Sequence, residues 1–192
     1  VFFVGRLVNE KGVHVLMDAV PRVLNREYNV KFLIAGKGPE LEHLKRRAFE
    51  LGVQDRICFA GYISDEELLK MYKCVDIAVF PSLYEPFGIV VLEGMVAHVP
   101  VIVSDAGGLN EIVVHEKNGM KFNTGNSEML SQCILDIMQD RELAKRLSRN
   151  ASETIKEMYL WEAIAEKTLE IYNKAVTEKE QRQNCIINNP VL

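Results

Sequence analysis

The chain has 192 residues, of which 48% are hydrophobic and 26% charged, and its formal net charge is −4. This balance suits one globular domain large enough to bury a core, and it is neither a disordered nor a membrane composition. The slight acidity argues against a nucleic-acid partner, and no apolar run approaches the ~18 residues of a membrane span.

The chain opens on Val1-Phe2-Phe3-Val4, a strand signal with no leader before it, as a piece of a longer protein would. Strand FFV (2–4) precedes a helical pattern over about 13–26. VKFLIAG (30–36) precedes a helix over 40–51, and RICFAG (56–61) precedes one over 64–74. There Ser64 with Glu67 forms a capping-box pattern. DIAVFPS (76–82) precedes a helix over about 88–97, and VPVIVSD (99–105) precedes a short helix near 109–114. GMKF (119–122) is the last candidate strand. Helices over roughly 127–139, 141–157 and 161–176 follow, and the aperiodic tail 177–192 is expected to fray. Strands alternating with helices predict an α/β fold, a doubly wound parallel sheet of about six strands in one domain over 1–176. Runs such as KFLIA and IAVF suit a sheet covered on both faces.

Cys58, Cys74, Cys133 and Cys185 are scattered without a C-x-x-C pair. His14, His43, His98 and His115 lack zinc spacing, and no Asp-x-Asp occurs. The expectation is a reducing, cytoplasmic compartment with no disulfide, no cofactor and no metal.

In open parallel sheets, ligands sit beyond the carboxyl ends of the strands, and every polar feature of interest falls in such a loop. GRLVNEKG (5–12) places Arg6 and Lys11 after a turn at Gly5. They form either a phosphate cradle before a helix or two surface cations in a turn. IAGKGPE (34–40) has Gly36 and Gly38 but Leu41 at the third fingerprint position, so it is weak as a dinucleotide motif. It is a backbone approach for a ligand or a plain turn. Tyr62 stands at a strand end, either to stack on a flat base or to pack. Gly107 and Gly108 precede a helix and could form an anion-binding nest.

The most specific stretch is YEPFGIVVLEG (84–94). Pro86 keeps Glu85 extended in the loop, and Gly88 permits close approach at a helix start. Glu93 falls about one and a half turns into that helix. Two carboxylates spaced along one helix beside cations suit a ligand with hydroxyls at both ends and phosphates between, as in a nucleotide sugar.

These segments, with PVIVSDAGGLNEIV and WEAIAEKTLEIY, make the chain resemble the C-terminal, donor-binding half of a retaining GT-B glycosyltransferase, in the large family that includes glycogen and sucrose synthases. Glu85 and Glu93 match that family's E-x7-E signature. The resemblance implies a Rossmann-like half-enzyme that moves a hexosyl group from a UDP-, ADP- or GDP-sugar to an acceptor hydroxyl. Glycogen-type elongation is one candidate among several. It implies that Arg6 and Lys11 bind the diphosphate and steady the leaving group without a metal. Glu85 would contact the donor sugar and Glu93 the ribose, and the backbone at Phe87, Gly88 and Ile89 would meet the sugar or phosphates. Gly107 and Gly108 would lie near the phosphates, with Tyr62 on the base. The acceptor (sugar, glycan or lipid) would be held by an absent N-terminal half, leaving the isolated chain inactive. Gly94 and His98 depart from the family pattern, and His98 stands where a turn glycine is common. The competing readings are a sugar-nucleotide epimerase, for which the loops offer no histidine, a non-catalytic nucleotide-binding module, and a flavodoxin-type regulator, for which clustered aspartates are missing.

Overall fold

The computed structural model describes residues 1–188, with side chains described through residue 179. The chain divides into two compact units, Val1–Glu153 and a second beginning at Thr154.

The first unit contains six strands: β1 (Phe2–Val4), β2 (Phe32–Ala35), β3 (Ile57–Gly61), β4 (Ala78–Phe80), β5 (Val101–Ser104) and β6 (Met120–Phe122). They form one parallel sheet in the order β3-β2-β1-β4-β5-β6. The register between β2 and β3 shifts at Ile34/Ala35, an irregularity beside the outer strand β3. The strands are shorter than the apolar runs that announce them, because residues such as Val30, Ile77 and Val99 are buried in the connections rather than in the ladder.

The helices are α1 (Val13–Arg26), α2 (Leu41–Glu50), α3 (Asp65–Tyr72), α4 (Ile89–Val96), α5 (Leu109–Ile112) and α6 (Ser127–Gln139). Alternation along the strands feeds two layers. Phe3, Ile34, Val79 and Ile102 join one core cluster with Val15, Leu16, Val20 and Val23 of α1, Leu44 of α2 and Leu130 and Ile134 of α6. Phe2 points the other way, meeting Tyr72 of α3 edge-to-face at 5.5 Å. A side chain at Gly94 in α4 would approach Val101, Tyr72 and Ala78, so α4 lies on that second face. The helix starts follow local chemistry. Ser64 Oγ accepts from Glu67 N–H while the Glu67 carboxylate accepts from Ser64 N–H, which completes the expected capping box. His98 adopts φ 59°, the left-handed conformation in which a glycine would be unstrained.

The unit boundary falls within α7 (Arg141–Met158), well before the domain end near 176 that the sequence suggests. α8 runs from Trp161 to Asn188. Residues 177–188, read from sequence as a fraying tail, therefore continue a helix. The stretch TEKEQRQNCIIN contains neither Gly nor Pro, and its Glu, Lys, Gln and Arg residues favour helix without apolar periodicity. Residues 189–192 of that tail lie outside the described residues, as does the Cys185 side chain; Cys58, Cys74 and Cys133 are free thiols.

Gly12, with φ 63°, ends the loop after β1, and a Cβ there would lie 1.9 Å from the Pro81 carbonyl oxygen. Gly52 has φ 67° but open space around it. Gly12→Ala should therefore cost about 3 kcal/mol, and Gly52→Ala about 1 kcal/mol from conformation alone. Urea unfolding of the two variants checks this, and equal losses would show that the Pro81 contact carries no energy.

Candidate functional site

β1 and β4 are sheet neighbours, yet the helices that follow them, α1 and α4, cover opposite faces. The crevice opened by this reversal is where doubly wound sheets bind ligands. Its two walls are the loop after β1, with Arg6 and Lys11, and the loop after β4, with Glu85.

The walls are joined by backbone contacts. The Glu10 carbonyl accepts from Leu83 N–H at 2.7 Å and from Tyr84 N–H at 3.2 Å. With Gly12 seated on Pro81, this sets Lys11 directly against Glu85, and Lys11 Nζ donates to Glu85 Oε2 at 2.5 Å. The two side chains are only 21% and 10% exposed, so the pair is largely shielded from water. Ser82 Oγ, itself buried, donates to the same oxygen at 3.3 Å. Lys11 keeps two further N–H donors for an anion. Arg6 is exposed and has no hydrogen-bond or ion-pair partner among the described residues. The loop thus carries a fixed ammonium at Lys11 and an unengaged guanidinium at Arg6.

α4 begins at Gly88, which has φ 102° and is buried, between the exposed side chains of Phe87 and Ile89. A Cβ at Gly88 would press on Leu109 at 2.6 Å. Further along α4, Glu93 Oε2 is buried without a hydrogen-bond partner. Burial, and then the negative charge of Asp65, pushes the Glu93 carboxyl above its ordinary range. Tyr72 is pushed up as well, by burial and then by Glu93, and its hydroxyl donates to the Val90 carbonyl of α4 at 3.1 Å. An unpaired carboxylate oxygen in such a place is costly unless a hydroxyl or amide comes to meet it. Tyr62 is 69% exposed rather than packed away, with Lys37 Nζ over its ring 5.7 Å from the centroid.

The glycines serve differently from expectation. At Gly36 a Cβ would lie 1.8 Å from the Gly5 carbonyl oxygen, and at Gly38 2.1 Å from that of Leu7. What approaches these glycines is the chain's own loop after β1. Leu7 N–H and Gly5 N–H bond to Lys37 and Ala35 carbonyls, which explains why the space is filled. At Gly107–Gly108 it is again the chain that approaches. Gly108 N–H donates to the Glu85 carbonyl at 2.9 Å, and a Cβ at Gly107 would lie 2.3 Å from that oxygen. The pair seats the loop after β5 against Glu85, and the Gly108 N–H is not free for an anion. Gly12, Ser82 and Lys37 escaped sequence reasoning. Only the glycine following Lys11 gave a signal, as a conformation no other residue adopts cheaply.

The family model described as "Glycosyl transferases group 1" matches residues 1–154. The chain belongs to this family. An uncharacterized glycosyltransferase of Methanocaldococcus jannaschii is 39% identical over 176 residues, covering 92% of the chain and 45% of that protein. A glycogen synthase of Mycobacterium tuberculosis is 33% identical over 181 residues, covering 94% of the chain and 44% of that protein. Among solved structures, Anabaena Alr3699/HepE in complex with UDP and glucose superposes with a TM-score of 0.80 at 26% identity, over 90% of this chain and 47% of that one. The chain thus spans less than half the length of each of these three relatives.

The half-buried Glu93 carboxyl makes stability depend on pH. Because its folded value is raised, the folded state holds this proton more tightly than the unfolded chain. The stability it contributes is full below the unfolded value of about 4.3 and is lost as pH rises through the folded value. Glu93→Gln removes the charge, so it should raise Tm by a few degrees at about pH 7 and change it little at about pH 4. Thermal melts at the two pH values check this; a variant less stable at neutral pH would show that Glu93 is already compensated.

Proposed function

We propose that this family member is the donor-binding half of a retaining hexosyltransferase, which moves a hexosyl group from a nucleoside-diphosphate sugar to an acceptor hydroxyl. The observation that carries the reading is the placement of Lys11 against Glu85 across the switch-point crevice, with Arg6 unengaged in the same loop. In this reading Arg6 and the remaining Lys11 donors hold the diphosphate. As the bond between the sugar's anomeric carbon and the phosphate oxygen breaks, they stabilise the negative charge gathering on the departing phosphate, a role taken without a metal. Glu85 accepts from hydroxyls of the donor sugar. Glu93, further along α4, holds the ribose hydroxyls through its carboxylate. The backbone at Phe87, Gly88 and Ile89 borders the sugar, and the open ring of Tyr62 faces the base. The acceptor sugar, glycan or lipid is presented by a further domain.

Similarity to a glycogen synthase supports a hexose donor, and similarity to a protein solved with UDP supports a nucleoside diphosphate. Among the described residues no helix is long and apolar enough to cross a membrane.

Titration calorimetry against UDP, ADP and GDP without added metal tests the proposal. One nucleotide should bind in preference to the others, and Arg6→Ala should weaken it about tenfold by removing a charge-assisted contact. Absence of binding by the folded chain, or binding indifferent to Arg6→Ala, would overturn the assignment.

A further inference from the structure

Behind the Lys11–Glu85 pair lie two buried serines that the proposed reaction does not use. Ser82 is 2% exposed and Ser104 is fully buried. Ser104 Oγ, at the end of β5, donates to the Ser82 carbonyl at 2.5 Å. Ser82 Oγ, in the loop after β4, donates to Glu85 Oε2 at 3.3 Å. A serine hydroxyl has one proton to donate, so both are committed to this chain of contacts. It runs from the neighbouring strand, through Ser82, to the carboxylate.

The chemistry of the two donors on Glu85 explains why a second is needed. Lys11 is a compact point charge with rotatable donors, and it fixes a distance but no plane. The terminal torsion of a glutamate is broad, so with Lys11 alone the carboxylate can swing about the contact. A hydroxyl arriving from a different direction on the same oxygen defines the plane. That hydroxyl is itself held in place. Its residue's carbonyl is bonded by Ser104, and the next two N–H groups, of Leu83 and Tyr84, are bonded to Glu10. Both protein donors converge on Oε2, and Oε1 has no partner among the described residues.

We propose that Ser82, backed by Ser104, is a positioning residue that pins Oε2 of Glu85 against Lys11 and so presents Oε1 to the sugar of the donor. The inference rests on the donor reading above and adds a residue to it. It also separates two parts of the ligand. Ser82 governs recognition of the sugar through Glu85, while the nucleoside diphosphate is held by Arg6, Lys11 and Glu93.

Paired titrations test this, using a nucleoside diphosphate and its sugar ester as probes: UDP with UDP-glucose, ADP with ADP-glucose, and GDP with GDP-mannose. The chain is compared with Ser82→Ala, Glu85→Gln and the double variant. Ser82→Ala should weaken the sugar nucleotide about tenfold, the loss typical of a hydrogen bond to a charged group, and the bare diphosphate far less. Because Ser82 acts through Glu85, the double variant should be little worse than Glu85→Gln alone. An equal loss for both probes, or losses that simply add in the double variant, would reduce Ser82 to a packing residue and overturn the proposal. If none of the three diphosphates binds the unaltered chain, the donor reading itself fails, and this inference falls with it.

Discussion

Gly12 lies so close to the Pro81 carbonyl that no side chain fits between them, and this steric constraint sets the separation of the two switch-point loops. The constraint repeats around the mouth of the sheet. Gly36 lies against the Gly5 carbonyl, Gly38 against that of Leu7, and Gly107 against that of Glu85. Loops after four different strands are thereby drawn together through backbone, and backbone has few ways to relax. The polar contacts follow from that framework. Once the loops after β1 and β4 are in register, Glu10 meets Leu83 and Tyr84, and Lys11 meets Glu85. The charged pair is placed by glycine geometry; a salt bridge of this kind does not organise a loop by itself.

The architecture was legible because hydrophobic period carries it. Runs such as Phe32–Ala35 and Ala78–Phe80 are apolar on both faces, and the helices between them are amphipathic, so a covered parallel sheet followed directly. The acidic pair at Glu85 and Glu93 was legible because proline, glycine and carboxylates in that order have few other uses. The glycines were half legible. A sequence shows that some backbone must come close at Gly36, Gly38 or Gly108, yet it does not show whether a ligand or the chain's own loop arrives. Here the chain arrives, and the Gly108 N–H is taken by the Glu85 carbonyl. Ser82 and Ser104 left no trace, since a serine at a strand end looks alike whether its hydroxyl meets water or a buried carboxylate. The last helix exposes a different limit. Its polar stretch from Thr177 has propensity without period, and the helix runs through it nonetheless.

Glu93 shows the tension between folding and recognition within one side chain. Its oxygen is buried with nothing to accept from, beside Asp65, in a helix whose remaining residues are apolar. Folding alone would favour an uncharged residue there. Under the proposed function the carboxylate is kept for the ribose hydroxyls, at a cost to folding.

The register shift beside β3 bears on how the molecule behaves in a crowded solution. An outer strand with a regular ladder offers a row of unpaired donors and acceptors to any other extended chain. β3 is five residues long, with Cys58 and Ala60 exposed along it, and its pairing with β2 loses step at Ile34/Ala35 before the strand ends at Gly61. A second copy attempting to add alongside would meet a bent edge and lose registry after a few residues. The irregularity thus works against edge-to-edge aggregation of a sheet that is otherwise apolar on both faces.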